Sequence, residues 1–142
     1  MAEDIPQDVQ LLLRDRVTSL EALTVLLLLH GTAPRRWSIA ALTAETHTAP
    51  EPTLAAVDLL RSASLIEREL QRAEPRYYYV PADAASGRAV DRLAREFEVR
   101  RVAIISMLNS FALERMRTGA ARAFADAFIL KKSKPDKEDE DG

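Results

Sequence analysis

The side chains of this sequence best suited to chemistry are arginines, because a guanidinium group binds phosphate oxygens through two parallel hydrogen bonds. Two arginines are adjacent before a short extended stretch, and others lie near a predicted turn further along the chain. A threonine hydroxyl can also donate to a phosphate. The candidates for contact with a nucleic-acid backbone are Arg35, Arg36, Thr53, Arg61, Arg72 and Arg76.

Acidic side chains oppose this interpretation. The chain has a formal net charge of −2, so any nucleic-acid surface would have to be local. The predicted fourth helix carries Glu51 and Asp58 against the single Arg61. Acids that face phosphates oppose the release of counterions that drives such binding. Glutamates at positions 67, 69 and 74 dilute the basic residues of the next segment.

The remaining reactive residue types give no support for catalysis or metal binding. The chain has no cysteine and two histidines, and no acid lies at ligand spacing from either histidine. We therefore interpret His30 and His47 as helix-cap or surface residues. The four glycines are not clustered, and no nucleophile motif occurs. We expect no enzymatic activity, no metal site and no cofactor.

Four helices are predicted in the first half of the chain from capping residues and apolar spacing. The first has its apolar stripe at positions 5, 9, 12 and 13, and the second begins at Thr18 with the spacing of a capping box. Ser38 caps the third helix, and the fourth begins at Thr48. The apolar stripe of the fourth helix is Leu54, Val57, Leu60 and Ala63.

A two-stranded hairpin is predicted next, over residues 65–70 and 76–80. Three consecutive tyrosines form most of its second strand. Because side chains alternate across a strand, we expect Tyr78 to face away from the side on which its two tyrosine neighbours pack. Trp37, in the short extended stretch, is expected to anchor in the core.

A long helix is predicted from Ser86, with an interruption near Thr118-Gly119 and a short helix after it. Apolar residues recur in it every seven positions, either as a seam with a second subunit or as a stripe that packs on residues 20–29 of the same chain. A helix of ~30 residues reaches ~45 Å, beyond what the preceding module can cover. We therefore predict a homodimer with contacts at Val90, Phe97, Ile104, Phe111, Phe124 and Phe128.

These elements predict a mainly α fold with a small β-hairpin, in four parts. Residues 1–17 form an N-terminal helix associated with the dimer, residues 18–82 a compact module, residues 83–130 the dimerisation helices, and residues 131–142 a disordered charged tail. The acidic start indicates no secretory signal, and the longest apolar run, residues 25–29, is too short to span a bilayer. We expect a cytoplasmic location and no membrane contact.

Three segments carry a resemblance to a known family. Ser38-Ile-Ala-Ala-Leu looks like the second helix, and Thr53-Leu-Ala-Ala-Val-Asp-Leu-Leu-Arg resembles the recognition helix, of winged-helix bacterial transcriptional regulators of the multiple-antibiotic-resistance type. Ser64-Leu-Ile-Glu resembles their turn into the first wing strand, with serine where the family commonly has glycine. The resemblance implies a winged helix over residues 18–82 and a long C-terminal helical extension for dimerisation.

A second resemblance covers Arg100-Arg-Val-Ala-Ile-Ile and Phe124-Ala-Asp-Ala-Phe, which are similar to an uncharacterised group of bacterial winged-helix proteins. It implies no function.

The first resemblance, together with the arginines, predicts a homodimeric DNA-binding transcription regulator. The partner would be double-stranded DNA, contacted by the candidate residues given above. The acids of the fourth helix leave a second hypothesis open, in which the winged helix is a protein-interaction or scaffold module that does not bind DNA. A third is a ligand sensor with a pocket between the module and the long helices.

Overall fold

The computed structural model describes the backbone of residues 4–70 and 73–141, and the side chains of residues 4–70 and 73–127. The described part is mainly helical with a small antiparallel sheet, which confirms the predicted fold class. The elements in chain order are α1 (Gln7–Asp15), α2 (Leu20–Gly31), β1 (Trp37–Ser38), α3 (Ile39–Thr46), α4 (Pro50–Ser62), β2 (Ile66–Glu69), β3 (Arg76–Tyr79), α5 (Ala84–Val99) and α6 (Arg101–Asp141).

Serine hydroxyls begin two of the first four helices. The N-cap of α2 is Ser19, one residue later than predicted, and its hydroxyl accepts the N–H of Ala22 at 3.0 Å. Ser38 caps α3 as predicted, and its hydroxyl accepts the N–H of Ala41 at 3.1 Å. These caps satisfy backbone N–H groups that have no partner within the helix.

The start of α4 differs from the predicted capping box. Its N-cap is Ala49, without a side-chain cap, and the Thr48 hydroxyl donates instead to the carbonyl of Thr46 at 3.3 Å. Pro50 and Pro52 lie in the first turn and have no N–H, and Pro52 occupies one of the two positions from which a cap side chain would accept a hydrogen bond. The helix therefore begins without a side-chain acceptor.

The sheet has β3 in its centre, between β1 and β2. Trp37 pairs with Tyr77 across β1 and β3, and both side chains are buried in the core. Tyr79 is partly buried against the same core, whereas Tyr78 lies on the opposite face of the sheet. The predicted alternation of the tyrosines and the anchoring role of Trp37 are confirmed.

One hydrophobic core runs through all the helices. Buried residues of α2, α4 and the sheet form a single cluster with buried residues of α1, α5 and α6. Its fully buried members include Leu12, Leu23, Leu60, Leu93 and Ile104. Residues 1–17, 18–82 and 83–130 therefore contribute to one core where the structure describes them.

The predicted long helix is divided into two. Asp83 caps α5, which ends where Arg100 takes a non-helical backbone conformation, with φ −135° and ψ 48°. This break lets α1 pack against both α5 and α6. The interruption predicted at Thr118-Gly119 is wrong, because α6 continues through it. A glycine costs ~1 kcal/mol inside a helix, which does not stop a helix that is already propagating.

The backbone of α6 is helical as far as Asp141. That residues 131–142 form a disordered charged tail stays a prediction. Gly142 lies outside the described residues. Within the described part, no helix combines the length and apolar character needed to cross a membrane.

Candidate nucleic-acid interface

Helix α4, which was predicted to read DNA, buries a different face from the predicted apolar stripe. Its buried residues are Thr53, Ala56, Val57 and Leu60, at the spacing of one helical face. Thr53 is fully buried, and its hydroxyl donates to the carbonyl of Ala49 at 2.9 Å. The prediction that Thr53 contacts DNA is therefore wrong. Leu54, predicted in the apolar stripe, is 46% exposed instead.

The outer face of α4 carries more negative than positive charge. Glu51 and Asp58 are exposed, and Arg61 lies 3.8 Å from the Asp58 carboxylate. The prolines in the first turn also remove N–H groups with which a helix N-terminus binds phosphate. This face therefore offers Arg61, already paired, as its one cation among the described residues of α4.

The adjacent arginines before β1 are held on aromatic rings. The guanidinium carbon of Arg35 lies 3.7 Å from the centre of the Trp37 ring, and that of Arg36 lies 3.9 Å from the centre of the Tyr78 ring. Such stacking fixes a guanidinium while its edge stays free to donate hydrogen bonds. Arg36 also forms an ion pair of 2.8 Å with Glu69.

These contacts build a mixed surface that we name the outer sheet face, made of Arg36, Glu67, Glu69, Arg76 and Tyr78. The sheet register places Arg76 opposite Glu69 and Tyr78 opposite Glu67. Arg76 is exposed and has no hydrogen-bond or ion-pair partner among the described residues. The face therefore carries two arginines and two glutamates, with Arg76 as the arginine available to a ligand.

The structure brings together only part of the predicted DNA-binding set. Arg36 and Arg76 share the outer sheet face, whereas Arg35 stacks on Trp37, whose side chain is on the core side of the sheet. Arg61 is on α4 with Asp58, and Arg72 lies outside the described residues.

The predicted dimer contacts differ in exposure, and only some of them are at the surface. Val90 and Ile104 are fully buried in the chain's own core and have no surface to offer a second subunit, which corrects their prediction. Phe97 and Phe111 are partly buried against that core. Apolar residues do recur every seven positions, but α1 of the same chain covers the stripe that they form. Phe124 is exposed, and the side chain of Phe128 lies outside the described ones.

Two arginines that the sequence analysis did not single out connect distant segments. Arg16, just after α1, donates to the Ser86 hydroxyl at 2.9 Å and to the carbonyl of Ala63. Arg115 on α6 donates to the carbonyls of Arg14 and Thr18, at 3.2 and 2.9 Å. Neither contact has a signal in local spacing, because the paired residues are 47 or more positions apart.

His30 lies where α2, the sheet and α5 meet. Its Nε2 is 2.8 Å from an Asp91 carboxylate oxygen, and its ring contacts Tyr79 edge-on at 5.1 Å between centroids. Burial, and then the nearby Asp91 charge, raises the pKa of the Tyr79 hydroxyl to about 12. That hydroxyl oxygen is buried and has no hydrogen-bond partner among the described residues.

The described residues contain no group of three or more histidines and acids that could hold a metal ion. A groove of about 420 Å³ lies between the end of α1 and α6, lined in part by Arg14, Phe111, Arg115 and Arg122. The ligand-sensor hypothesis stays a prediction.

No protein-family model, curated protein or solved structure matches this chain.

Proposed function

We propose that residues 18–82 form a winged helix and that the chain is a homodimeric, DNA-binding transcription regulator. The observation that carries the proposal is the order α2–β1–α3–α4–β2–β3, with β1 added to the edge of a hairpin. Helix-turn-helix proteins use this succession of helices to approach a DNA groove. The hairpin that follows α4 supplies a second surface beside it.

The charges favour contact through the outer sheet face over base reading by α4. Arg36 is fixed by Tyr78 and Glu69, and Arg76 is free to pair with a phosphate. The acids of α4 make its outer face a poor reader of base edges. DNA binding on this surface is dominated by phosphate contacts, so its affinity falls with added salt and depends weakly on sequence.

The test is fluorescence anisotropy with labelled double-stranded DNA at increasing salt. Arg76→Ala removes one phosphate contact from each subunit of the proposed homodimer, so the slope of log affinity against log salt should become less steep by about 2. Arg88→Ala is the matched control, because Arg88 is an exposed arginine of α5 outside this face. Binding that is weak at low salt, or an Arg76→Ala slope equal to wild type, would contradict the proposal.

A second candidate function keeps the winged helix as a protein-interaction module without DNA binding. The observation that favours it is Leu54, which is 46% exposed between the acids Glu51 and Asp58 on α4. An exposed leucine among acids suits a basic, partly apolar protein partner. Leu54→Asp should abolish co-purification of such a partner, whereas Arg76→Ala should not. A wild-type chain that binds DNA and recovers no partner excludes this alternative.

A further inference from the structure

The exposed side of α6 carries an uncharged stripe that the core does not use. Its large apolar members are Val102, Leu113, Met116 and Phe124, which are 57 to 77% exposed. Serine, asparagine and alanine fill the remaining positions. We name this set the outer stripe, and it consists of Val102, Ser106, Asn109, Leu113, Met116, Ala120, Ala123, Phe124 and Ala127.

The outer stripe has the spacing of a helix–helix seam. Apart from Phe124, its members follow one another in alternating steps of four and three residues from 102 to 127. This is the a/d spacing of a coiled coil, in which each side chain inserts between four residues of the facing helix. The opposite side of α6, with Ile104 and Leu108, is buried against the chain's own core. Helix α6 therefore has two apolar sides, and one of them is unpaired.

We propose that the outer stripe is the seam on which a second copy of this chain docks through its own outer stripe. The proposal deepens the homodimer part of the proposed function and is independent of DNA binding. It replaces Val90 and Ile104, which are buried within the chain, with residues that are free to make intersubunit contacts. A self-complementary patch of this kind is what a two-fold symmetric dimer requires.

The composition of the stripe favours a helix from another copy as its occupant. Ala120, Ala123 and Ala127 allow two helix backbones to approach closely, whereas large side chains would hold them apart. Asn109 lies within the seam, where a polar residue is satisfied by a polar group of the facing helix and fixes the register. A second copy supplies such a group from its own stripe.

A membrane surface is the competing occupant, because the exposed Arg117 lies beside the stripe. Helices that insert at a membrane surface present large apolar side chains along the buried face. Three alanines, a serine and an asparagine at seam positions give little apolar volume to insert. The stripe is therefore better matched to helix packing.

The length of the seam suits an extended helix–helix contact. Residues 102–127 of a helix extend over ~39 Å. Stable interfaces bury ~800 Å² on each partner, and contiguous exposed apolar patches beyond a few hundred Å² mark interaction sites.

The first experiment measures the dissociation constant of the full-length chain by sedimentation equilibrium. Met116→Glu places a charge in the seam and should raise the constant about 30-fold or more. Thr118→Glu is the matched control, because Thr118 is exposed on another side of the same helix turn. Both positions are exposed, so both variants should keep the wild-type thermal transition, measured by circular dichroism under conditions where each is monomeric.

The second experiment locates the seam independently of helix orientation. The chain has no cysteine, so a single introduced thiol reports its own position. The rate of maleimide labelling of Ala120→Cys should fall as protein concentration rises through the dimer transition. Labelling of Ala125→Cys, outside the stripe, should not change.

Three outcomes would overturn the proposal. The wild type could remain monomeric at high micromolar concentration, or Met116→Glu could dimerise as tightly as Thr118→Glu. The third outcome is that the wild type sediments with phosphatidylcholine–phosphatidylglycerol vesicles and Met116→Glu does not, which would assign the stripe to a membrane surface. Loss of DNA binding in Arg76→Ala with an intact dimer would leave this proposal standing, so the two proposals fail separately.

Discussion

The module of residues 18–82 and the extension formed by α5 and α6 both follow apolar periodicity, yet they use it differently. In the module, the helices and the sheet cover each other, so apolar stripes meet other elements of residues 18–82, as α2 meets α4. In the extension, the inner stripe is covered by α1, which lies at the other end of the sequence. The spacing of apolar residues identifies a face that needs cover, but not the element that covers it.

This difference explains why individual contacts in the two predicted interfaces were wrong for different reasons. Thr53 was predicted to be outside because it is polar, and it is inside because its hydroxyl bonds to its own helix. Val90 and Ile104 were predicted to contact another subunit because no local element could cover them. Helix α1 does so instead.

The largest expected effect is in the core of the extension. Ile104→Ala leaves a cavity between α6 and the rest of the core and should lower the free energy of unfolding by ~2–5 kcal/mol. Val99→Ala, at an exposed apolar position of α5, should change it by less than ~0.5 kcal/mol. Urea denaturation of both variants measures the contrast. Equal effects would mean that the inner stripe is not packed as described.

The next-largest loss of stability is expected at Arg16, which connects the module of residues 18–82 to the extension formed by α5 and α6. Arg16→Ala removes the hydrogen bonds to Ser86 and to the carbonyl of Ala63, which leaves partly buried polar groups without a partner. We expect a loss of ~1–3 kcal/mol in the free energy of unfolding. Arg14→Ala, which removes an exposed pair with Asp15, is the control and should have little effect. If denaturation does not separate the two variants, Arg16 does not connect the module to the extension.

A smaller effect is expected at the start of the extension, and it depends on pH. The Asp83 carboxylate accepts the N–H of Ser86 at 2.7 Å, and this hydrogen bond holds the pKa of Asp83 below its ordinary value of 3.8. Because the folded-state pKa is lowered, the stabilisation is present above pH 3.8 and is lost as the pH falls through the lower folded value. Asp83→Ala should therefore lower the melting temperature at neutral pH.

The control for Asp83→Ala is Asp83→Asn, whose amide oxygen can still cap the helix but does not titrate in this range. Its melting temperature should stay closer to that of the wild type at neutral pH. The difference between wild type and Asp83→Ala should shrink in acid. A difference that is constant with pH would show that the charge of Asp83 plays no part.

The smallest effect is expected at Tyr79, where β3 meets α2 and α5. Its buried hydroxyl has no partner among the described residues, so Tyr79→Phe should be neutral or stabilise the fold by up to ~1 kcal/mol. With a folded pKa of about 12 against 10.0, wild type should also lose stability as the pH rises above 10, and the variant should lose less. Denaturation at neutral pH and above pH 10 measures both effects. A marked loss in Tyr79→Phe at neutral pH would reveal a hydrogen bond to that hydroxyl.

The sequence predicted the helices and the hairpin well, because their signals are local. Ser38 caps its helix by a contact three residues away, and the tyrosines alternate by backbone geometry alone. The break at Arg100 has no such signal, since neither glycine nor proline marks it. It follows from packing on α1 through contacts such as Arg100 to the carbonyl of Asp4 at 3.0 Å, 96 positions away.

The candidate site was predicted less completely than the fold for the same reason. The pairing of Arg36 with Glu69 and Tyr78 depends on how β1 joins the hairpin, and residue type does not encode that pairing. The contacts of Arg16 and Arg115 are likewise long-range. Charge counts indicated which residues could act, but only the sheet register indicated which of them share a face.

The continuous helix α6 has a mechanical consequence. Arg115 attaches it to the carbonyls of Arg14 and Thr18, at the junction of α1 and α2, and the helix extends beyond that point as a rigid lever. The 26 residues of α6 that follow Arg115 extend over ~39 Å, so a tilt of ~5° at that point would move the end of the helix by ~3 Å. Small rearrangements at the α1–α2 junction are therefore amplified along the arm.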